Sequence, residues 1–142
     1  MRSLIISLLA IISGCTPQPS ASTNISTLGF AASDLSIISC PPPPPPLLSF
    51  FSREPVFDIR FTDQGNRFDA KPRDSWIVGP VVKDFIIRGT FSDSFTELHI
   101  RNFKFEPAKK YEVKYERYKS KLFVWIEKNG GIIVFGERPN SV

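Results

Sequence analysis

The sequence predicts an all-β fold, a small antiparallel sandwich or barrel, and three observations carry that reading. Val56 to Phe61 alternates apolar with charged side chains at the period of two that a half-buried strand requires. Lys128-Asn129-Gly130-Gly131 lies between two apolar runs, and Asn-Gly takes up the positive φ of a tight hairpin at little cost. From Arg53 onward, roughly six to eight short runs of β-branched and aromatic residues are punctuated by turn signals. A chain of 142 residues has room for one modest domain and a leader or linker, not for two full domains.

The strands follow in order. After Val56–Phe61, Asp63-Gln64-Gly65-Asn66 turns and Arg67-Phe68-Asp69 is placed to return as its partner. Trp76 to Val78 and Val81 to Arg88 are further strands, divided by Gly79-Pro80, where Pro80 lacks the N–H a ladder needs. Phe85-Ile86-Ile87 is apolar on both faces, which predicts a central strand covered on two sides. Ser94-Phe95-Thr96-Glu97 matches a helix capping box, but Leu98 and Ile100 alternate with Glu97, His99 and Arg101, and the strand reading is preferred. Asn102–Glu106 and Tyr111–Tyr115 read as strands on either side of Pro107. Leu122–Glu127 and Ile132–Phe135 complete the last hairpin. Phe123 and Trp125 fall on the face opposite Leu122, Val124 and Ile126, and are expected to be covered by the fold.

The N-terminal segment has a different character. Arg2 precedes an uncharged Leu/Ile-rich run from Leu4 to Ile12, and small Ser13 and Gly14 precede Cys15, the pattern of a secretory signal. Ile12-Ser13-Gly14-Cys15 resembles the lipobox of bacterial lipoproteins. The resemblance implies that residues 1–14 are a signal peptide and that Cys15 is lipidated. It also implies a membrane anchor of several acyl chains, palmitate among them, each buried CH₂ contributing about 0.8 kcal/mol. Thr16 stands where an inner-membrane retention signal would place Asp, so the resemblance points to the outer membrane, with the domain facing the periplasm or the surface.

Residues 15–52 are expected to be a disordered Pro-rich tether and residues 53–142 the globular domain. From 16 to 52 the only charge is Asp34, and eight of the chain's 13 prolines lie there. Such a composition buries too little apolar area to offset its ordering entropy. Pro41–Pro46 is expected to form a polyproline rod about 19 Å long. Leu35–Ile38 and the cluster Leu47, Leu48, Phe50 and Phe51 are too apolar for a plain spacer and are expected to dock on the domain or on a partner. With Cys15 acylated, Cys40 has no partner in its own chain, which leaves an intermolecular disulfide or a free thiol.

The residues assemble into no recognisable active site, and no enzymatic activity, cofactor or metal is expected. One histidine and two cysteines exclude zinc fingers and multi-histidine metal centres. His99, the sole imidazole, falls on the outward face of an alternating strand. Asp58, Asp63 and Asp69 match no calcium loop. The strongest feature of the domain is charge. Residues 101–121 hold Arg101, Lys104, Lys109, Lys110, Lys114, Arg117, Lys119 and Lys121 against three acidic residues, with Phe and Tyr interleaved. Leu122–Ile126 is similar in pattern to an RNA-recognition strand, but an exported protein does not meet nucleic acid. A phospholipid, a lipopolysaccharide or an envelope protein suits the compartment better.

Three functions are weighed. The first is a lipid-anchored scaffold module in an envelope assembly such as a secretion or conjugation machine. In layout the chain resembles the small lipoproteins of type IV secretion core complexes. The second is a ligand-binding, inhibitory or exclusion lipoprotein. The third is a hydrolase built around His99 or paired carboxylates. The first is the preferred expectation, with Cys40 as a partner link and the basic run as an anionic-partner surface.

Overall fold

The computed structural model describes residues 22–45, 52–62, 74–91 and 93–139, and among these the chain is all-β. Nine strands form two sheets, and neither closes into a barrel. The expected sandwich is the architecture found. No helix among the described residues is long and apolar enough to cross a membrane.

The smaller sheet is β3 (Val56–Phe61), β5 (Phe85–Thr90) and β6 (Phe95–Ile100), antiparallel with β5 in the centre; the chain visits the other sheet between β3 and β5. Phe57, Ile59, Phe61, Phe85 and Ile87 turn inward and are buried. Ile86 is only half-buried, so this central strand is covered on one face rather than two. Residues 95–100 are strand, as preferred over the helix. The proposed return strand at 67–69 and the cluster Leu47–Phe51 lie outside the described residues.

The larger sheet is mixed and corrects the expected domain boundary. Its order is β1 (Ser22–Ile25), β4 (Ser75–Val78), β2 (Ser36–Ser39), β7 (Lys110–Tyr118), β8 (Lys121–Lys128), β9 (Ile132–Phe135). Two of these strands, β1 and β2, come from the segment expected to be a disordered tether. β2 lies between β4, antiparallel, and β7, parallel. Pairing on both edges supplies what local propensity lacks: Ile38 is fully buried and Ser36 is 1% exposed. The folded unit therefore begins at least as early as Ser22. β1 packs so closely on the end of β4 that a Cβ at Gly79 would stand 2.0 Å from the Ser26 carbonyl oxygen. That approach requires glycine.

The core between the sheets is aromatic at one end. Phe61, Phe85, Phe103, Phe105 and Tyr111 contact in sequence, with ring centroids 4.7–5.6 Å apart, and Trp76 lies 6.4 Å from Phe61. Phe103 and Phe105 belong to no strand, contrary to expectation. They alternate inward from a loop fixed by the Phe103 N–H on the Lys83 carbonyl oxygen (2.8 Å) and by the Tyr111 hydroxyl, which accepts the Glu106 N–H (2.8 Å). Trp125 points to the outer face of the large sheet and is covered, as expected for burial, by the returning C-terminal segment. Its Nε1–H donates to Glu127 Oε1 (2.8 Å), and the Arg138 guanidinium sits 5.3 Å above its ring.

Candidate functional site

The basic run does not form one patch. The residue register across the large sheet sets a direction: Ser22, Ser75, Ser39, Glu112, Glu127 and Ile133 share one row. Ile25, Val78 and Ser36 share another, towards the start of β7. Arg101, Lys104, Lys109 and Lys110 gather at that start. Arg117, Lys119 and Lys121 lie at the opposite end, at the tip of the β7–β8 hairpin. Nine residues of β7 separate the groups by about 26 Å. Lys114 lies between them on the outer face, ion-paired with Glu112.

The first group has a rigid base. Inward Phe103 and Phe105 leave Arg101, Lys104 and Glu106 pointing out. The Asn102 N–H donates to Asp84 Oδ1 (2.8 Å), the Ala108 N–H to the Leu35 carbonyl oxygen (3.0 Å), and the Ser36 hydroxyl to the Glu106 carbonyl oxygen (2.7 Å). β2 therefore both completes the sheet and holds the loop that carries the cations.

Two cations escaped the sequence reading. Lys128 pairs with Glu106 at 2.7 Å, and Lys83 is exposed at the same end. The hydrogen bond from Lys128, helped by the charges of Lys128, Lys109 and Lys104, holds the Glu106 carboxyl below its ordinary range. The same bond raises the Lys128 ammonium. Lys128 stands opposite Tyr111 through the β7–β8 register, which runs from the Lys119-Ser120 turn rather than from the Asn129-Gly130 turn beside it, so the Asn-Gly signal did not point to this pairing. Lys83 carried no signal either.

Beside these cations lies a depression of about 250 Å³, with Arg101, Lys104 and Glu106 at its rim and Tyr111, Val134 and Phe135 among its walls. It continues onto β9, the outermost strand of the large sheet, where Ile132, Ile133 and Val134 are 60%, 40% and 37% exposed. An uncharged edge strand with three consecutive exposed apolar residues is a template for association. A rigid basic rim continuous with such a strand can hold an acidic, partly apolar surface.

The remaining candidates fall elsewhere. Cys40 is 6% exposed, and its N–H donates to the Asp74 carbonyl oxygen (2.8 Å). Burial first, then the charges of Asp58 and Asp74, raises its thiol well above the ordinary value. Such a thiol is a poor nucleophile and is little exposed in the folded chain, which favours the free-thiol alternative over the intermolecular disulfide. His99 is exposed, as its outward position predicted, with Nε2 3.4 Å from Glu97. Glu97 also accepts from Arg88 at 2.6 Å, and that hydrogen bond lowers its carboxyl. Among the described residues, no group of three or more His, Cys, Asp or Glu is placed to hold a metal. Cys15 lies outside the described residues. Comparison with protein-family models, with curated proteins and with solved structures finds no match.

Proposed function

We propose that this protein is a lipid-anchored β-sandwich lipoprotein of the bacterial outer membrane, which presents its basic end to an acidic envelope partner as a scaffold or interaction module. One observation carries the reading. Arg101, Lys104 and Lys109 stand on a loop pinned by buried Phe103 and Phe105, with Lys110 opening β7 beside them, at the end of the sandwich opposite the side from which the chain enters β1. In the lipid-anchored reading Cys15 lies only seven residues before Ser22, so the end that holds the start of β1 stays within about 25 Å of the bilayer and the Lys104 end is the far one. The exposed β9 edge next to it supplies apolar contact, and the cations supply steering and register.

The test is a photo-crosslinking residue placed at Lys104 in cells, with Glu116 on the outer face as control. The expected result is a crosslinked band specific to Lys104, weakened several-fold by Lys109→Glu with Lys110→Glu and unchanged in membrane fractionation. Equal labelling at both positions would remove the basic end from the interaction. A stoichiometric small ligand in place of a protein band would favour the capture or inhibitory reading.

A further inference from the structure

We infer that the tip of the β7–β8 hairpin seats in the anionic phospholipid headgroups of the leaflet that the acyl chains enter, an inference that rests on the lipid-anchored reading above. Its first support is reach. Ser22 stands seven residues after Cys15, a span of at most about 25 Å when fully extended. β1 runs antiparallel to β7, so Ser22, its first residue, stands at the end of β1 that faces the way β7 ends. Ser22 shares its row with Glu112, and Lys119 lies seven residues beyond that row, about 23 Å along the strand. The two lengths nearly cancel. With the strands upright, a lipidated Cys15 brings the hairpin tip to headgroup level.

The second support is chemistry. Arg117, Lys119 and Lys121 fall within five residues. The Arg117 guanidinium lies 5.0 Å over Phe91 and donates to the Arg53 carbonyl oxygen (2.8 Å), and Arg53 is exposed at the same end. Nearby Phe95 is 60% exposed, with the Arg88 guanidinium 4.5 Å above its ring. Glu54, Asp93 and Glu116 are also at this end. Glu54 accepts from the Tyr115 hydroxyl, Asp93 from the Ser94 hydroxyl, and Glu116 faces outward from β7. Lys119 and Lys121 flank the turn at the hairpin tip, with Lys119 Nζ 4.9 Å over the Tyr118 ring, and cations beside aromatic rings suit an anionic interface.

The third support is the turn itself. Lys119 and Ser120 have φ of 48° and 66°, a two-residue turn with both residues left-handed. At the other end of β8 the same demand is met by Asn129 and Gly130, at 51° and 75°. Lysine and serine are poorer residues for this backbone than Asn-Gly. A lysine held there against its conformational preference points to a role for its charge.

The experiment places the full-length acylated chain in phosphatidylcholine vesicles with or without phosphatidylglycerol. A Ser120→Cys variant carries an environment-sensitive fluorophore, and headgroup spin-labelled lipid is the quencher. An Ala108→Cys variant labelled in the same way reports the opposite end. The expected result is quenching several-fold stronger at position 120 than at 108, greater with phosphatidylglycerol, and cut several-fold by Lys119→Glu with Lys121→Glu while flotation with vesicles persists. Lys119→Asn separates charge from folding: it should raise the melting temperature yet reduce quenching. Flotation with equally weak quenching at both positions would overturn the tip contact alone. Quenching indifferent to phosphatidylglycerol would overturn anionic recognition. Failure to float, with no lipid mass on Cys15, would overturn the anchor and this inference together.

Discussion

The two halves of the large sheet are built on opposite terms. β1, β4 and β2 are four residues each and contain no charged residue, and every ladder among them joins segments distant in sequence. β7 and β8 are nine and eight residues long, joined by a two-residue turn, with Glu112, Lys114, Glu116 and Glu127 on the outer face. The first half exists because its neighbours exist. The second carries its own register and displays charge. Substitutions in the first half should therefore cost the fold, and most in the second should alter the surface.

The sharpest way to break this contrast is to remove residues 22–40. If they were a spacer, the remaining domain would unfold as cooperatively as the whole chain. Because β1 and β2 flank β4 and β2 bridges to β7, removal strips β4 of both pairing edges and β7 of one, and uncovers Trp76, Tyr111 and the loop held through Leu35 and Ser36. The expected result is loss of the cooperative thermal transition and of dispersed amide resonances. A retained transition would return this segment to the role of a tether.

A smaller step compares single truncations in the two halves. Ile38, on β2, is 0% exposed, and Ile38→Ala should cost about 2–5 kcal/mol. Leu122, on β8, is only half-buried against the core, and Leu122→Ala should cost about 1–2 kcal/mol. Urea denaturation of both variants checks the order. Equal losses would mean that the short strands contribute no more than the long hairpin.

This contrast also explains what was legible. β8 and β9 announced themselves through Asn-Gly because their register is local, and β3 through its own alternation, although its partner β5 follows only after β4 of the other sheet. β2 showed only the apolar Leu35–Ile38, which was read as able to dock but not as a strand between two others. Its pairing with Tyr111 depends on residues more than seventy positions away. Phe103 and Phe105 imitated a strand because a loop pinned on alternate side chains buries every second residue without a ladder. The eight cations were visible, but their division between two ends follows from the length and direction of β7.

The long half has one internal exception, and acid should expose it. Glu127 is 3% exposed, yet it lies on the outer face and pairs with Arg138 of the covering segment. The hydrogen bond from Trp125, then that from Arg138, lowers its carboxyl against the opposing effect of burial. A carboxyl held below its unfolded value adds stability that is fully present above the unfolded value and is lost as the pH falls through the folded one. Glu127→Gln should therefore be less stable than the parent at neutral pH, with the gap closing in acid. Urea midpoints measured across that range check it. A gap independent of pH would mean that the side chain acts through shape rather than charge.

The smallest effect sharpens the contrast at its margin. Cys40 follows β2 directly, beside a groove lined by Pro41, Pro42, Val113 and Tyr115, where the short half meets the long one. At 6% exposure, with a raised thiol, it serves as a small apolar side chain. Cys40→Ala should cost about 1 kcal/mol. It should leave any Lys104 crosslink and the membrane fractionation unchanged. In the folded protein the thiol should resist a disulfide-exchange reagent and react only as fast as the chain opens, so that adding urea accelerates labelling in step with unfolding. Rapid labelling without denaturant, or a partner lost in the alanine variant, would make this junction a covalent link and not a seam of the core.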